Sequence, residues 1–199
     1  MGFELEMRVL TLDMGAVECC GRELEVLARE FDPELIIAIA RGGVTLAKYM
    51  FEDVPHLDVD IHRPSTAWKR KLHSIMRLTR FLPRWIADEM RISEAKRLSK
   101  HKPRAIVATP ESVKEMLEAA HHAARILVVD DAVDSGATLR AVFDVLKDCG
   151  AEVRGASIVL TRPDAVALPY YHIFRPGTLV RFPWSADARR HPLTSRYMQ

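Results

Sequence analysis

The stretch Ile126-Leu-Val-Val-Asp-Asp-Ala-Val-Asp-Ser-Gly-Ala-Thr-Leu139 constrains this chain more than any other. Four apolar residues run into two adjacent acids, Asp130 and Asp131. A third acid, Asp134, follows, then Ser135-Gly136-Ala137-Thr138 and the start of an apolar helical pattern. That order reads as a buried parallel strand, a turn and a helix N-terminus. The strand end sets Asp130 and Asp131 at the carboxyl edge of a sheet, where open α/β sheets hold ligands. Successive strand residues point to opposite faces, so a bend must bring both carboxylates to one ligand. Carboxylates accept hydrogen bonds from sugar hydroxyls and bind hard cations such as Mg²⁺. The turn behind them offers backbone N–H groups, two hydroxyls and a glycine without bulk. With the helix N-terminus it forms a phosphate cradle. A ribose 5-phosphate, with a diol at one end and a monophosphate at the other, fits this arrangement. The plainer reading is a buried strand whose acids cap the next helix.

A second strand-turn-helix pattern lies upstream. Leu35-Ile-Ile-Ala-Ile-Ala40 is a continuous apolar run, the mark of a central parallel strand. Arg41-Gly42-Gly43 follows, and a helix is expected over about 44–51. Glycines let backbone approach a ligand closely, and Arg41 adds a permanent charge. Elsewhere, residues 5–12 suggest a short strand or edge arm, and Asp13 a cap for a helix over about 15–31. Further strands are expected at 57–62, 104–109, 153–160, 170–174 and 179–182. Thr109-Pro110-Glu111 starts a helix reaching His121 or His122. Another helix covers 138–148, ending near Gly150. Strands alternating with helices indicate an α/β fold with a parallel sheet flanked by helices.

The charge of +2 is unevenly spread. Residues 62–104 carry thirteen Lys and Arg against three acids, a local +10, so the remainder is −8. Two helical stretches are expected there, 67–81 and 84–100, divided by Pro83. One reading is a solvated helical lid packed on the domain or a second subunit. The other is a polyanion-binding arm, with Trp68 and Trp85 among basic residues to grip RNA or phosphates. No run approaches a membrane span, and the N-terminus lacks the basic and apolar regions of a secretory signal. Cys19, Cys20 and Cys149 suggest neither a disulfide framework nor a metal site. A cytoplasmic protein without membrane contact is the expectation.

The 126–139 stretch resembles the phosphoribosyl-pyrophosphate (PRPP) signature of type I phosphoribosyltransferases: apolar strand, two acids, two spacers, then Asp-Ser/Thr-Gly-x-Thr. The pattern from Thr11-Leu-Asp-Met14 through Arg41-Gly-Gly43 is most similar to the bacterial xanthine-guanine branch of the purine enzymes. The resemblance covers about 8–62 and 126–184. It implies one phosphoribosyltransferase domain over 1–199, with residues 63–104 inserted and a small C-terminal hood or base-binding region at 162–185. It also implies a pyrophosphate-binding loop at Arg41, Gly42 and Gly43, with a cis peptide between Arg41 and Gly42. Asp130 and Asp131 are then expected to hold the ribose hydroxyls, directly or through Mg²⁺. Ser135, Gly136, Ala137 and Thr138 would hold the 5-phosphate. Asp134 would assist proton transfer near the purine N7, and Arg162, Leu179 and Val180 would contact the base.

The activity so implied is transfer of the phosphoribosyl group from PRPP to a nucleobase, a 6-oxopurine first, with release of pyrophosphate. A homodimer or tetramer is expected. The chain departs from the branch at three points. Arg162 stands where a lysine contacts the exocyclic oxygen, Leu179 where an aromatic stacks on the purine, and Ser185 where an acid follows Trp184. Two alternatives therefore stay open: a silent PRPP sensor, with or without RNA on the basic arm, and an enzyme for a non-purine acceptor.

Overall fold

The computed structural model describes residues 7–61, 82–99, 106 and 108–188. Its centre is an all-parallel five-stranded sheet. The strands are β2 (Leu35–Ile39), β3 (His56–Val59), β4 (Arg125–Val133), β5 (Glu152–Leu160) and β6 (Tyr171–Phe174), in the order β3-β2-β4-β5-β6. The continuous apolar runs divide between two faces, as a period of two requires. Ile36 and Ala38 of β2 and Leu127 and Val129 of β4 pack under one helical layer. It contains Val17, Leu24 and Ala28 of α1 (Met14–Ala28) and Leu46 of α2 (Ala40–Ala47). On the other face, Ile37, Ile39, Ile126 and Val128 meet two further helices. These are α4 (Pro110–Ala120), through Met116 and Ala120, and α5 (Ala137–Leu146), through Leu139, Val142 and Leu146. Each Val, Leu, Ile or Met among these side chains gains about 1.5–3 kcal/mol by leaving water, so both faces of β4 hold the layers together.

Helix starts follow local chemistry. The Asp13 carboxylate accepts from Ala16 N–H at 2.8 Å, capping α1. Thr109 Oγ1 accepts from Ser112 N–H at 3.2 Å, with Pro110 at the first helical position of α4. Cys20 lies buried in α1. Burial, helped by Glu23 and Cys19, pushes its thiol up to about 11, so it packs as a small hydrophobe.

Two expectations change. The helix after β2 begins at Ala40 rather than Val44, so Arg41, Gly42 and Gly43 form its first turn. The peptide bonds there are trans, as throughout the described residues; the irregularity is instead Ala40, at a left-handed φ of 49°. That conformation costs a residue with a Cβ about 1–2 kcal/mol, and it ends the strand abruptly enough to need no separate loop. Among residues 104–109, the described ones (106, 108 and 109) are not in a strand, and the expected helix over 67–81 lies outside the described residues. No helix among the described residues is long and apolar enough to cross a membrane.

The C-terminal strands part company. β6 is the edge of the main sheet, parallel to β5. β7 (Thr178–Arg181) pairs in parallel with β1 (Arg8–Thr11) as a separate two-stranded ladder. Against β1 lies α3 (Arg84–Ser99), the described part of the basic segment. Its anchor is a buried ion network. Asp187, with 2% of its side chain exposed, accepts from Arg181 Nε at 2.8 Å and from Arg91 of α3 at 3.0 Å. Arg181 also donates to Asp88 of α3 at 2.7 Å and to Thr11 Oγ1 of β1 at 3.0 Å. Desolvation works against the Arg181 charge, but its bonds to Asp187 and Asp88 outweigh it and hold its pKa above the ordinary arginine value. For Arg91, burial together with the neighbouring Arg181 charge lowers the pKa below that value despite Asp187.

Replacing Asp187 by Asn leaves two guanidinium groups short of a counter-charge. Breaking a buried ion pair from one side costs about 3–5 kcal/mol. Denaturant unfolding of Asp187→Asn is expected to show a loss near the lower end of that range, because Arg91 keeps some exposure.

Candidate functional site

β2 and β4 are neighbours in the sheet. The chain leaves β2 toward β3 on one side and β4 toward β5 on the other. Where strand order reverses in this way, the carboxyl ends of two adjacent strands open a crevice. Both sequence motifs fall at this point. Arg41-Gly42-Gly43 follows β2, and Asp130 to Thr138 spans the end of β4, the turn and the start of α5.

The glycines explain how the two motifs meet. A Cβ on Gly42 would collide with the Asp131 carboxylate, and one on Gly43 with the carbonyl oxygen of Val129. Gly42 and Gly43 are buried and Arg41 is exposed. Thr45 Oγ1 donates to the Arg41 carbonyl at 2.9 Å, fixing the first turn of α2. The glycine backbone is thus laid directly on the acidic strand end, an approach closed to any larger residue.

β4 stays extended to Val133, so the bend expected at the two acids is absent and each carboxylate is held separately. Asp130 is buried and Asp131 half-buried. Asp130 Oδ1 accepts from the Asp131 amide at 2.9 Å, curling the first carboxylate back along the strand. Asp131 Oδ2 accepts from the indole N–H of Trp184 at 2.7 Å. Ser185 closes the turn that carries this indole. The Ser185 hydroxyl accepts from Phe182 N–H at 3.0 Å and its amide donates to Phe182 O at 2.9 Å.

Behind the acids, Gly136 takes a left-handed φ of 73° and stands at the N-cap of α5 without a side-chain cap. A segment after β5 backs this turn. Val166 N–H donates to Ser135 O at 2.9 Å, and a Cβ on Gly136 would strike the Ala167 carbonyl oxygen. Ala137 and Thr138 are buried in the first turn of α5. With no cap from Gly136, the opening amides of α5 form the kind of N-terminus that attracts anions.

Arg162 follows β5, close enough to Asp134 to feel its charge. Its fork is engaged by Asp164, Nε to Oδ1 at 2.9 Å and a terminal nitrogen to Oδ2 at 2.6 Å. Asp164 is the first cause of the raised Arg162 pKa, with Asp134 adding to it, and Arg162 in turn lowers that of Asp164. Leu179 and Val180 are buried in the β1–β7 ladder, paired with Val9 and Leu10, and Val180 packs in the core with Phe182. The structure therefore gathers the residues from 41–43 and 130–138 around one strand edge, with Arg162 within reach of the Asp134 charge, and carries 179–180 on the separate ladder. Sequence reasoning passed over Trp184 as a partner of Asp131, although the Phe-Pro-Trp run was visible. It also passed over Asp164, only two residues from Arg162.

Mg²⁺ can be tested against this donor set. Among the described residues no group of three or more His, Cys, Asp or Glu side chains is placed to hold a metal. Mg²⁺ characteristically takes one or two carboxylates and completes its shell with water and substrate phosphate. The hard oxygen pair Asp130 and Asp131 suits that habit.

Residues 25–188 match the sequence profile of the phosphoribosyl transferase domain. No curated protein matches the chain significantly. Among solved structures it is similar to a purine phosphoribosyltransferase from Pyrococcus horikoshii, at 22% identity and a TM-score of 0.56, covering 96% of this chain and 100% of that one. A Helicobacter pylori xanthine-guanine-hypoxanthine phosphoribosyltransferase gives 16% identity and 0.53, covering 90% and 95%. A Neisseria gonorrhoeae hypothetical protein with bound ppGpp gives 14% and 0.56, covering 89% of each. At these identities the likeness establishes the fold. Of the three, the archaeal purine enzyme shares most residues with this chain, so the resemblance to the xanthine-guanine branch broadens to the family as a whole.

The glycine geometry gives a direct test. A Cβ on Gly155 of β5 would lie 3.3 Å from the ends of the Leu139 and Phe143 side chains, which can shift, whereas one on Gly43 meets backbone. Gly43→Ala is expected to destabilise the fold clearly more than Gly155→Ala, by about 2 kcal/mol against about 1 kcal/mol or less, as measured by thermal unfolding.

Proposed function

Because the chain belongs to the phosphoribosyltransferase family, we propose that it transfers the 5-phosphoribosyl group of PRPP to a nitrogenous base, a 6-oxopurine first, and releases pyrophosphate. The observation that carries this reading is the seating of Gly42 and Gly43 on the acidic end of β4, at the reversal of strand order. A leaving-group loop and a sugar-holding strand have to be neighbours for displacement at an anomeric carbon.

In this reading Arg41 and the amides of Gly42 and Gly43 bind the departing pyrophosphate. Asp130 and Asp131 accept hydrogen bonds from the ribose hydroxyls, and their negative charge favours a sugar that becomes cationic as the bond breaks. The Ser135–Thr138 turn and the α5 N-terminus hold the 5-phosphate. Asp134 manages a proton on the incoming base, and Arg162 donates to a carbonyl oxygen on it. Mg²⁺, held by Asp130 and Asp131 together with PRPP, would supply charge neutralisation to the leaving group. The β1–β7 ladder with the 182–185 turn forms the hood over the base, and α3 is part of a basic insertion packed on it. The assembly is a homodimer or tetramer.

One observation favours a second reading. Asp164 already occupies the Arg162 fork, and no ring stands at position 179, which suits a protein that binds PRPP without an acceptor. The same incubation separates the two. With PRPP, Mg²⁺ and a panel of purine and non-purine bases, pyrophosphate release with at least one base is expected. A sensor would bind PRPP and release none. RNA binding by the basic segment would show as an affinity falling steeply with salt.

For the enzyme, Asp134→Asn is expected to reduce turnover about 100-fold, the scale of one general acid–base contribution, with PRPP affinity changed less than about threefold. Single-turnover kinetics together with titration calorimetry measure both. Parallel losses would remove Asp134 from proton transfer.

A further inference from the structure

The two acids at the end of β4 differ in how they are held, and the difference points outside both motifs. Asp130 is curled onto the backbone of its own strand. Asp131 is held by a residue 53 positions away, the Trp184 indole, at 2.7 Å. On its other side lies Gly42, whose missing side chain is what leaves room for the carboxylate. The indole is itself fixed. It stacks on the Phe182 ring with centroids 5.1 Å apart and planes 5° from parallel, and Phe182 is 4% exposed. Ser185 ties the turn closed at both the amide and the carbonyl of Phe182.

From this geometry we infer that Trp184 is a positioning residue for Asp131, setting the direction in which that carboxylate accepts a sugar hydroxyl. The inference rests on the proposed PRPP reading and adds to it a role for the 182–185 turn. An indole nitrogen donates and cannot accept. Bound to Oδ2 it fixes the rotation of the whole carboxylate, which retains acceptor capacity for a ligand: an ionised carboxylate has about four lone-pair sites, and this bond uses one. Ser185, where the resemblance leads one to expect an acid, then has a function of its own. Its hydroxyl accepts from Phe182 N–H and closes the turn that presents the indole. The C-terminal turn and the ribose-holding strand become one unit, and the tightness of the donor site depends on a residue belonging to neither motif.

The experiment measures PRPP binding with Mg²⁺ by calorimetry for four proteins: wild type, Trp184→Phe, Asp131→Asn and the double variant. Phenylalanine keeps the stack on Phe182 and removes only the donor. Losing a hydrogen bond to a charged group is expected to weaken PRPP about tenfold. In the Asp131→Asn background the same change is expected to alter affinity less than about twofold, because there is no charged partner left to position. Binding by Trp184→Phe within twofold of wild type overturns the inference, as does an undiminished loss in the double variant. If wild type itself fails to bind millimolar PRPP, the donor-site reading falls and the inference with it; the two failures are thus distinguishable. A second measurement covers the case in which Trp184→Phe folds poorly. PRPP and Mg²⁺ are expected to shift wild-type tryptophan emission, and Asp131→Asn to abolish most of that shift. A shift that survives Asp131→Asn unchanged argues against the pairing.

Discussion

Two residues without side chains let the first turn of α2 lie directly on the carboxyl end of β4, and the rest of the structure is arranged to keep them there. Gly43 is stopped by the carbonyl of Val129 and Gly42 by the carboxylate of Asp131. The contact exists because β2 and β4 are adjacent and parallel, with a register that pairs Ala38 with Val129. That pairing is in turn secured by two apolar layers, one on each face of the same strands. Close backbone approach and double-sided burial are therefore one constraint seen at two scales.

Much of this was legible because the relevant signals are local. An unbroken apolar run with acids at its end announces a strand buried on both faces, and glycines after a strand announce a close backbone approach. The starts of β2, β4 and β5 lie within about a residue of expectation, whereas β4 runs on past its expected end at Asp131 to Val133. What escaped was set by contacts remote in sequence or by conformations a sequence does not advertise. Ala40 takes a glycine-like φ with nothing in its neighbourhood to signal it. Strand β6 joins the main sheet beside nearby β5, while β7 turns away to β1, a partner 170 residues distant. Trp184 and Asp131 are 53 residues apart, so their pairing had no spacing to reveal it. The Arg162–Asp164 fork is the opposite case: its partners lie two residues apart, a spacing that a sequence does display.

The basic segment serves the fold as well as the charge distribution. Residues 62–104 carry a net +10. Within α3, Arg91 and Asp88 both turn inward, Arg91 to Asp187 and Asp88 to Arg181, which itself pairs with Asp187. That network is neutral by formal charge and ties the segment to the C-terminal strand.

The β1–β7 ladder joins the first strand to the last, with Arg8 and Arg181 each bonding across 170 residues. The two strands leave the ribosome 170 residues apart. While the five-stranded sheet can organise as its pieces emerge, β1 waits for β7, its ladder partner among the described residues, and non-local pairing of this kind is slow to nucleate. Through that interval β1 keeps an unpaired strand edge, the form of exposure most prone to wrong association.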